Sequence, residues 1–299
     1  MSLSQRTGAD DPLASWNDGP TKKSIVAFVE RVTKAGGVDY VAPEERIAAF
    51  DNDGTLWSER PYPFQIAFAL DQVKAMATQH PEWQNQEPFK SVLAGDLKSV
   101  IAGGHHAIIE IATATHSGMT TDEFEAQARK WLATTRHPQT DKLYTEMVFQ
   151  PMLELLAYLR ANGFKTFIVS GGGVEFMRAF AELTYGVPPE HVIGSSGRLK
   201  FETRDGEPAL VKLREIDVVN DNIEKPAAIQ KHIGSRRSAI PTVTWRCCNG
   251  RQPERAPASL CLSTTTTQRE NGTMIAARPS GNSTRHLMRP MRRVGRSSI

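Results

Sequence analysis

The run Arg46-Ile47-Ala48-Ala49-Phe50 is short and apolar, and it stops abruptly at Asp51-Asn52-Asp53-Gly54. It reads as a buried strand feeding a polar loop. A second junction of the same kind follows at Lys165–Val169, which ends in Ser170-Gly171-Gly172-Gly173. Helical patterns flank both. Strands alternating with helices imply an α/β fold with a mostly parallel sheet, whose function sits at the carboxyl ends of the strands. Both polar loops lie at such ends.

The rest of the chain sorts by its period. Ser24–Ala35 places Ile25, Phe28, Val29 and Val32 at helical spacing. Residues 61–150 have few strand signals. Phe64–Thr78, Phe89–Ala102, His106–His116 and Thr121–Thr134 carry apolar residues three and four apart, and Thr121 with Glu123 and Glu125 resembles a helix start. This stretch reads as an all-helical insertion. An α/β rhythm then resumes. Helices are expected over Pro151–Ala161 and Val174–Tyr185, with a strand over His191–Gly194. A hairpin of Leu199–Thr203 and Ala209–Lys212 should turn at Asp205-Gly206, and a last helix covers Glu224–Ile233. The expected organisation is a core of residues 21–60 and 151–234, an insertion of 61–150, and a loose arm over the aperiodic residues 1–20.

Two carboxylates two residues apart, just past a buried strand, point the same way. Asp51 and Asp53 can hold a divalent cation and still leave an oxygen to attack an electrophile. A carboxylate serves as a covalent nucleophile in phosphoryl transfer, and a second acid nearby can protonate the leaving group. A Ca²⁺ loop is excluded, because its glycine would be the sixth residue and its twelfth an acid, whereas here they are Gly54, the fourth, and Tyr62. Ser170 and the Gly171 amide, before a helix, suit a phosphate. No Gly-Lys-Ser/Thr follows, so this is not a P-loop. Lys225 opens the last helix just before Pro226 and could offset phosphate charge. His105, His106 and Glu110 lack a His-Glu-x-x-His spacing and read as solvated or capping residues.

Taken in order, the Asp51-x-Asp53-Gly54-Thr55 motif, the strand ending in Ser170-Gly171 and the later Lys225 resemble the haloacid dehalogenase superfamily of hydrolases. The helical insertion between the first two motifs resembles its phosphoserine-phosphatase-like branch. The resemblance covers about residues 15–234. It implies a Rossmann-like core with a helical cap, and metal-dependent hydrolysis of a small phosphorylated metabolite through an aspartyl-phosphate. Asp51 would be the nucleophile and Asp53 the general acid and base. Mg²⁺ would be held by the Asp51 carboxylate and the Asp53 main-chain carbonyl, and Ser170, Gly171 and Lys225 would grip the phosphoryl group. Glu59 would face the cap and substrate.

The family's fourth motif, of the type Gly-(Asp/Asn)-Ser-x-x-Asp, should follow Lys225 within about twenty residues and close the Mg²⁺ site. Residues 235–299 contain no aspartate. They hold 12 arginines against two glutamates, a net +10, while the first 234 residues hold 24 basic and 31 acidic residues, a net −7, so the overall +3 is an average of unlike parts. All three cysteines (Cys247, Cys248, Cys261) lie in this tail, which excludes a disulfide scaffold. A one-base shift of reading frame turns the codons around 239–248 into ones that permit Gly-Asn-Ser-Asp-Gly-Asp-Leu-Ala-Met-Leu. That is the absent motif, with acids in the slots of Thr242 and Thr244. In the same frame Thr264–Thr267 permits His-His-Asp-Asp, and Gly295–Ile299 permits Trp-Thr-Val-Val-Asp. The tail is therefore expected to be out-of-frame, basic product, with the last core strands lost. The alternatives are an inactive remnant that only binds phosphorylated ligands, and a nucleic-acid arm. The arm would have Trp245 as its sole aromatic and no recognised motif.

No stretch of 18 apolar residues is present, so no transmembrane helix is expected. The polar, acidic Met1–Pro12 lacks the apolar region of a signal peptide, and the expected location is cytoplasmic. With no such signal, the sequons at Asn271 and Asn282 carry no meaning.

Overall fold

The structure, a computed structural model, describes residues 11–234 and 243–244. Five strands form one sheet in the order β4-β3-β2-β1-β5. β1 (Ile47–Phe50) is buried at every residue and pairs in parallel with β2 (Lys165–Gly173), Ile47 opposite Lys165 and Phe50 opposite Ile168. β2 pairs in parallel with β3 (Val192–Arg204), and β3 pairs antiparallel with β4 (Glu207–Val218) across Asp205-Gly206. Asp205 and Gly206 both have positive φ (52° and 89°), the backbone that a two-residue hairpin turn requires. The expected strand at His191–Gly194 and the first hairpin strand are thus one continuous strand, whose register shifts between Ser196 and Leu199. Gly194 and Gly197 interrupt the apolar alternation there, which made one long strand read as two.

α1 (Pro20–Thr33) begins with Pro20 in its first turn and buries Ile25, Phe28, Val29 and Val32. Between β1 and β2 the chain forms α2 (Phe64–Met76), α3 (Phe89–Leu93), α4 (Leu97–Ala102), α5 (Gly104–His116) and α6 (Thr121–Thr134). Thr120 and Glu123 close a reciprocal capping box at the start of α6: Glu123 N donates to Thr120 Oγ1 (3.1 Å) and Thr120 N to Glu123 Oε2 (2.7 Å). The single helix expected over Phe89–Ala102 is broken, because Asp96 caps a new helix by accepting from Ser99 N. α7 (Gln150–Ala161) precedes β2, α8 (Val174–Tyr185) follows it, and α9 (Lys225–Ile233) follows β4.

Phe64 and Phe68 of α2, Phe124 and Trp131 of α6, and Trp57, Phe176 and Phe180 from around the sheet form one aromatic cluster. Its ring centroids lie 4.4–6.5 Å apart. Insertion and core are therefore joined by a shared interior as well as by the chain. The β3–β4 hairpin adds a second tie: Gly118 N donates to Lys212 O and Lys212 N to Met119 O, each at 2.8 Å.

Two further expectations are corrected. Residues 11–19 are not a loose arm. Leu13 is fully buried, Trp16 is 8 % exposed, and Trp16 Nε1 donates to Pro151 O at 2.7 Å. Two isolated apolar residues make no period, so their burial leaves no pattern in the sequence. Nor is every strand after α9 lost: β5 (Val243–Thr244) pairs in parallel with Ala48 and Ala49. Without a neighbour, the outer edge of β1 would present unpaired N–H and C=O groups at the centre of the fold. The remainder of the tail, with the reading-frame expectation attached to it, lies outside the described residues. Among the described residues no helix is long and apolar enough to cross a membrane.

Replacing Trp16 by alanine is expected to lower stability by about 3 kcal/mol, as for other buried tryptophans. Urea denaturation measures it, and an unchanged midpoint would mean that the segment does not dock.

Candidate active site

The loop after β1 is wound around Asn52. Its carbonyl accepts from Thr55 N (3.1 Å) and Leu56 N (2.8 Å), and its side chain, 2 % exposed, accepts from Tyr185 Oη at 3.1 Å. With Asn52 drawn into the interior, its neighbours Asp51 and Asp53 face the cleft. Gly54 turns the chain with φ +67°, and a Cβ there would press on the Glu59 carboxyl at about 3.0 Å.

Lys225, at the start of α9, reaches across 174 residues of sequence to Asp51, its Nζ 2.9 Å from Oδ2. The side chains are 6 % and 18 % exposed, so this is a largely desolvated charge pair. Trp57 is buried, and its indole N–H donates to Asp53 Oδ1 at 2.7 Å. Burial raises the Asp53 carboxyl from its ordinary value to about 6. The charges of Asp51 and Glu59 push the same way, against the Trp57 hydrogen bond and Lys225.

β2 runs on through the glycines to Gly173. Ser170 is 1 % exposed, and its Oγ accepts from Gly172 N at 3.2 Å, which leaves the hydroxyl hydrogen to donate elsewhere. Gly173 N donates to Gln65 Oε1 of α2 at 2.6 Å, tying the loop to the insertion. From behind, Asn220 Nδ2 donates to Ser170 O (2.9 Å) and Ser195 Oγ to Gly171 O (2.8 Å). A side chain on Gly194 would meet Gly172 O at 2.6 Å, so strand and loop pack backbone to backbone.

All six residues singled out in the sequence, Asp51, Asp53, Glu59, Ser170, Gly171 and Lys225, line one cleft of about 490 Å³. The residues that brace them were missed. Asn220 and Asp221 follow the strand-like Val218-Val219 as a third strand-to-polar junction, and that was the signal available. Ser195, Gln65 and Tyr185 had none.

His106 approaches Glu110 only to 3.9 Å and is 91 % exposed, which agrees with a solvated role. Among the described residues no group of three His, Cys, Asp or Glu gathers to hold a metal ion. Asp51 and Asp53 do offer oxygen donors suited to Mg²⁺, which keeps several waters and takes one or two protein carboxylates alongside substrate phosphate.

A family model for haloacid dehalogenase-like hydrolases matches residues 48–244, more than half of the chain. Among solved structures, a protein of unknown function from Bordetella pertussis Tohama I is 16 % identical, with TM-score 0.42, over 62 % of this chain and 73 % of that one. A conserved functionally unknown protein from Anaerococcus prevotii DSM 20548 is 16 % identical, with TM-score 0.45, over 73 % and 78 %. A phosphoserine phosphohydrolase-like protein from Francisella tularensis is 16 % identical, with TM-score 0.36, over 66 % and 76 %. No curated protein matches.

A carboxyl whose folded pKa is raised binds its proton more tightly folded than unfolded. For Asp53 the cost of ionisation is therefore fully present above about pH 6 and vanishes below the unfolded value of 3.8. In metal-free buffer Asp53→Asn is expected to stabilise the protein by up to about 3 kcal/mol at pH 7.5 and by close to nothing at pH 3.5. Thermal melts across this range measure it, and an equal effect at both ends would contradict the assignment.

Proposed function

The chain belongs to the haloacid dehalogenase-like hydrolase family, whose model spans residues 48–244, and from that membership we propose that it hydrolyses the phosphomonoester of a small metabolite through an aspartyl-phosphate. The observation that carries the proposal is the Lys225–Asp51 pair in one cleft with Ser170 and Asp53.

In the first half-reaction an Asp51 carboxylate oxygen attacks phosphorus, a P–O(Asp51) bond forms and the ester P–O bond breaks. Asp53 gives its proton to the departing alkoxide, and a pKa of about 6 keeps part of it protonated near neutrality. In the second half-reaction water attacks the same phosphorus, Asp53 takes the proton back, and the P–O(Asp51) bond breaks to release phosphate. The Ser170 hydroxyl, the Gly171 amide and the Lys225 ammonium hold the phosphoryl oxygens and offset the charge that gathers on them. Magnesium, when bound by the Asp51 carboxylate and the Asp53 main-chain carbonyl, would neutralise further charge on the transferring group. Residues 61–150 act as a cap that excludes water and admits the substrate, with Glu59 at its border. The proposed setting is the cytoplasm and the proposed partner a diffusible phosphorylated metabolite, with no nucleic acid.

One observation favours a second reading, binding without turnover. Among the described residues no group of three His, Cys, Asp or Glu is placed to hold a metal ion, and residues 235–299 contain no aspartate. We attribute that absence to a shifted reading frame in the gene. The coding bases across Ser238–Thr244 are expected to read GGC-AAT-TCC-GAC-GGT-GAC, or synonyms, in the other frame, and any other sequence there rejects the shift.

Hydrolysis of p-nitrophenyl phosphate with and without Mg²⁺ separates the two readings. The first expects Mg²⁺-stimulated turnover that falls on the order of a thousandfold or more in Asp51→Asn. Binding of inorganic phosphate with no turnover supports the second.

A further inference from the structure

Trp57 is 1 % exposed and stands where the insertion meets the core. Its ring meets Phe64, the first residue of α2, edge-on with centroids 4.8 Å apart, and stacks on Phe180 of α8 at 4.4 Å. The main chain holds it too, through β-bridges from Trp57 to Asp53 and to Val148. Wedged between the two rings, the indole keeps one orientation, and its N–H points at Asp53 Oδ1, 2.7 Å away. An indole nitrogen can only donate. Among the described residues no other hydrogen bond reaches the Asp53 carboxyl, and the side chain lines the cleft. Oδ1 is therefore committed inward, and Oδ2 is the oxygen left to a ligand.

We propose that Trp57 is the positioning residue of the general acid: its indole N–H pins Asp53 Oδ1, so that the proton for the leaving alcohol sits on Oδ2 and faces the ester oxygen. The proposal deepens the phosphatase reading and rests on it. A carboxylic acid accepts through its carbonyl oxygen and donates from its hydroxyl, and a donor-only partner assigns the first role to Oδ1. As the P–O(Asp51) bond forms and the ester P–O bond breaks, the Oδ2 proton passes to the departing oxygen. The negative charge left on Asp53 meets the indole N–H, and a hydrogen bond to an ionised carboxylate is about twice as strong as one between neutral groups. In the second half-reaction Oδ2 takes a proton from the attacking water. A carboxyl free to turn would hold its proton in reach of the ester for only part of the time, and proton transfer needs that reach. Phe64 extends the dependence to the insertion. α2 lines the cleft through Gln65 and Ile66, and by walling in the indole it also sets the aim of the acid.

Two esters of like shape separate this role from a structural one. p-Nitrophenolate departs as a stabilised anion, whereas the more basic phenolate of phenyl phosphate leans on the acid. kcat/KM is measured for both on the full chain with Mg²⁺, because it covers the steps up to loss of the phenol and none that follow. In Trp57→Phe, which keeps an aromatic ring and loses the N–H, both values are expected to fall, that of phenyl phosphate by at least about tenfold more. Misfolded protein lowers both alike and leaves their ratio unchanged. Where the phenylalanine variant does not fold, β-(3-benzothienyl)alanine at position 57 keeps the bicyclic shape with sulfur in place of the N–H, and the same change of ratio is expected. An unchanged ratio overturns the proposal and leaves the phosphatase reading standing. If the unaltered chain turns over neither ester, nor acetyl phosphate, the phosphatase reading itself fails and the positioning role falls with it.

Discussion

The cleft depends on the contact between Lys225 and Asp51. It joins the first residue of α9 to the end of β1, and with both side chains mostly out of water neither charge is tolerable alone. Removing one partner of such a pair costs about 3–5 kcal/mol, because the other is left desolvated and uncompensated. The pair therefore fixes where the last helix starts, and it sets a cation beside the carboxylate proposed as the nucleophile. Asn52 makes the arrangement possible from the opposite side: anchored by Tyr185, it turns the loop so that its two acidic neighbours share the cleft.

The insertion belongs to the same mechanical unit. Phe64, Phe68, Phe124 and Trp131 interlock with Trp57, Phe176 and Phe180, and Trp57 also donates to Asp53. A substitution in this cluster would therefore reach the acid's environment without touching it. Gln65 and the β3–β4 hairpin add polar ties at the cleft's rim, where the Gly173 amide and the Gly118–Met119 backbone are held.

Much of this was legible in the sequence because it obeys local rules. The apolar runs of β1 and β2 end at polar loops, α6 and α8 show a clean helical period, and the acids, Ser170 and Lys225 stand at strand ends or helix starts. What escaped has no local signature. Leu13 and Trp16 are two buried residues without a period. Ser195 and Gln65 act on main-chain groups 24 and 108 residues away. Lys212 of β4 and Glu175 of α8 pair at 3.2 Å only through tertiary packing. Side chains gathered by tertiary packing are invisible to spacing, and for that reason Asp51, Ser170 and Lys225 could be read in advance and most of the residues that brace them could not.

The proposed chemistry requires that Asp51 become phosphorylated. Brief incubation of the full chain with radiolabelled acetyl phosphate and Mg²⁺, followed by an acid quench and peptide mapping, measures this directly. Acid-stable, hydroxylamine-sensitive label is expected on the peptide that contains Asp51, and none in Asp51→Asn. Label on Ser170 or another residue, or hydrolysis with no labelled enzyme at any time, would contradict it.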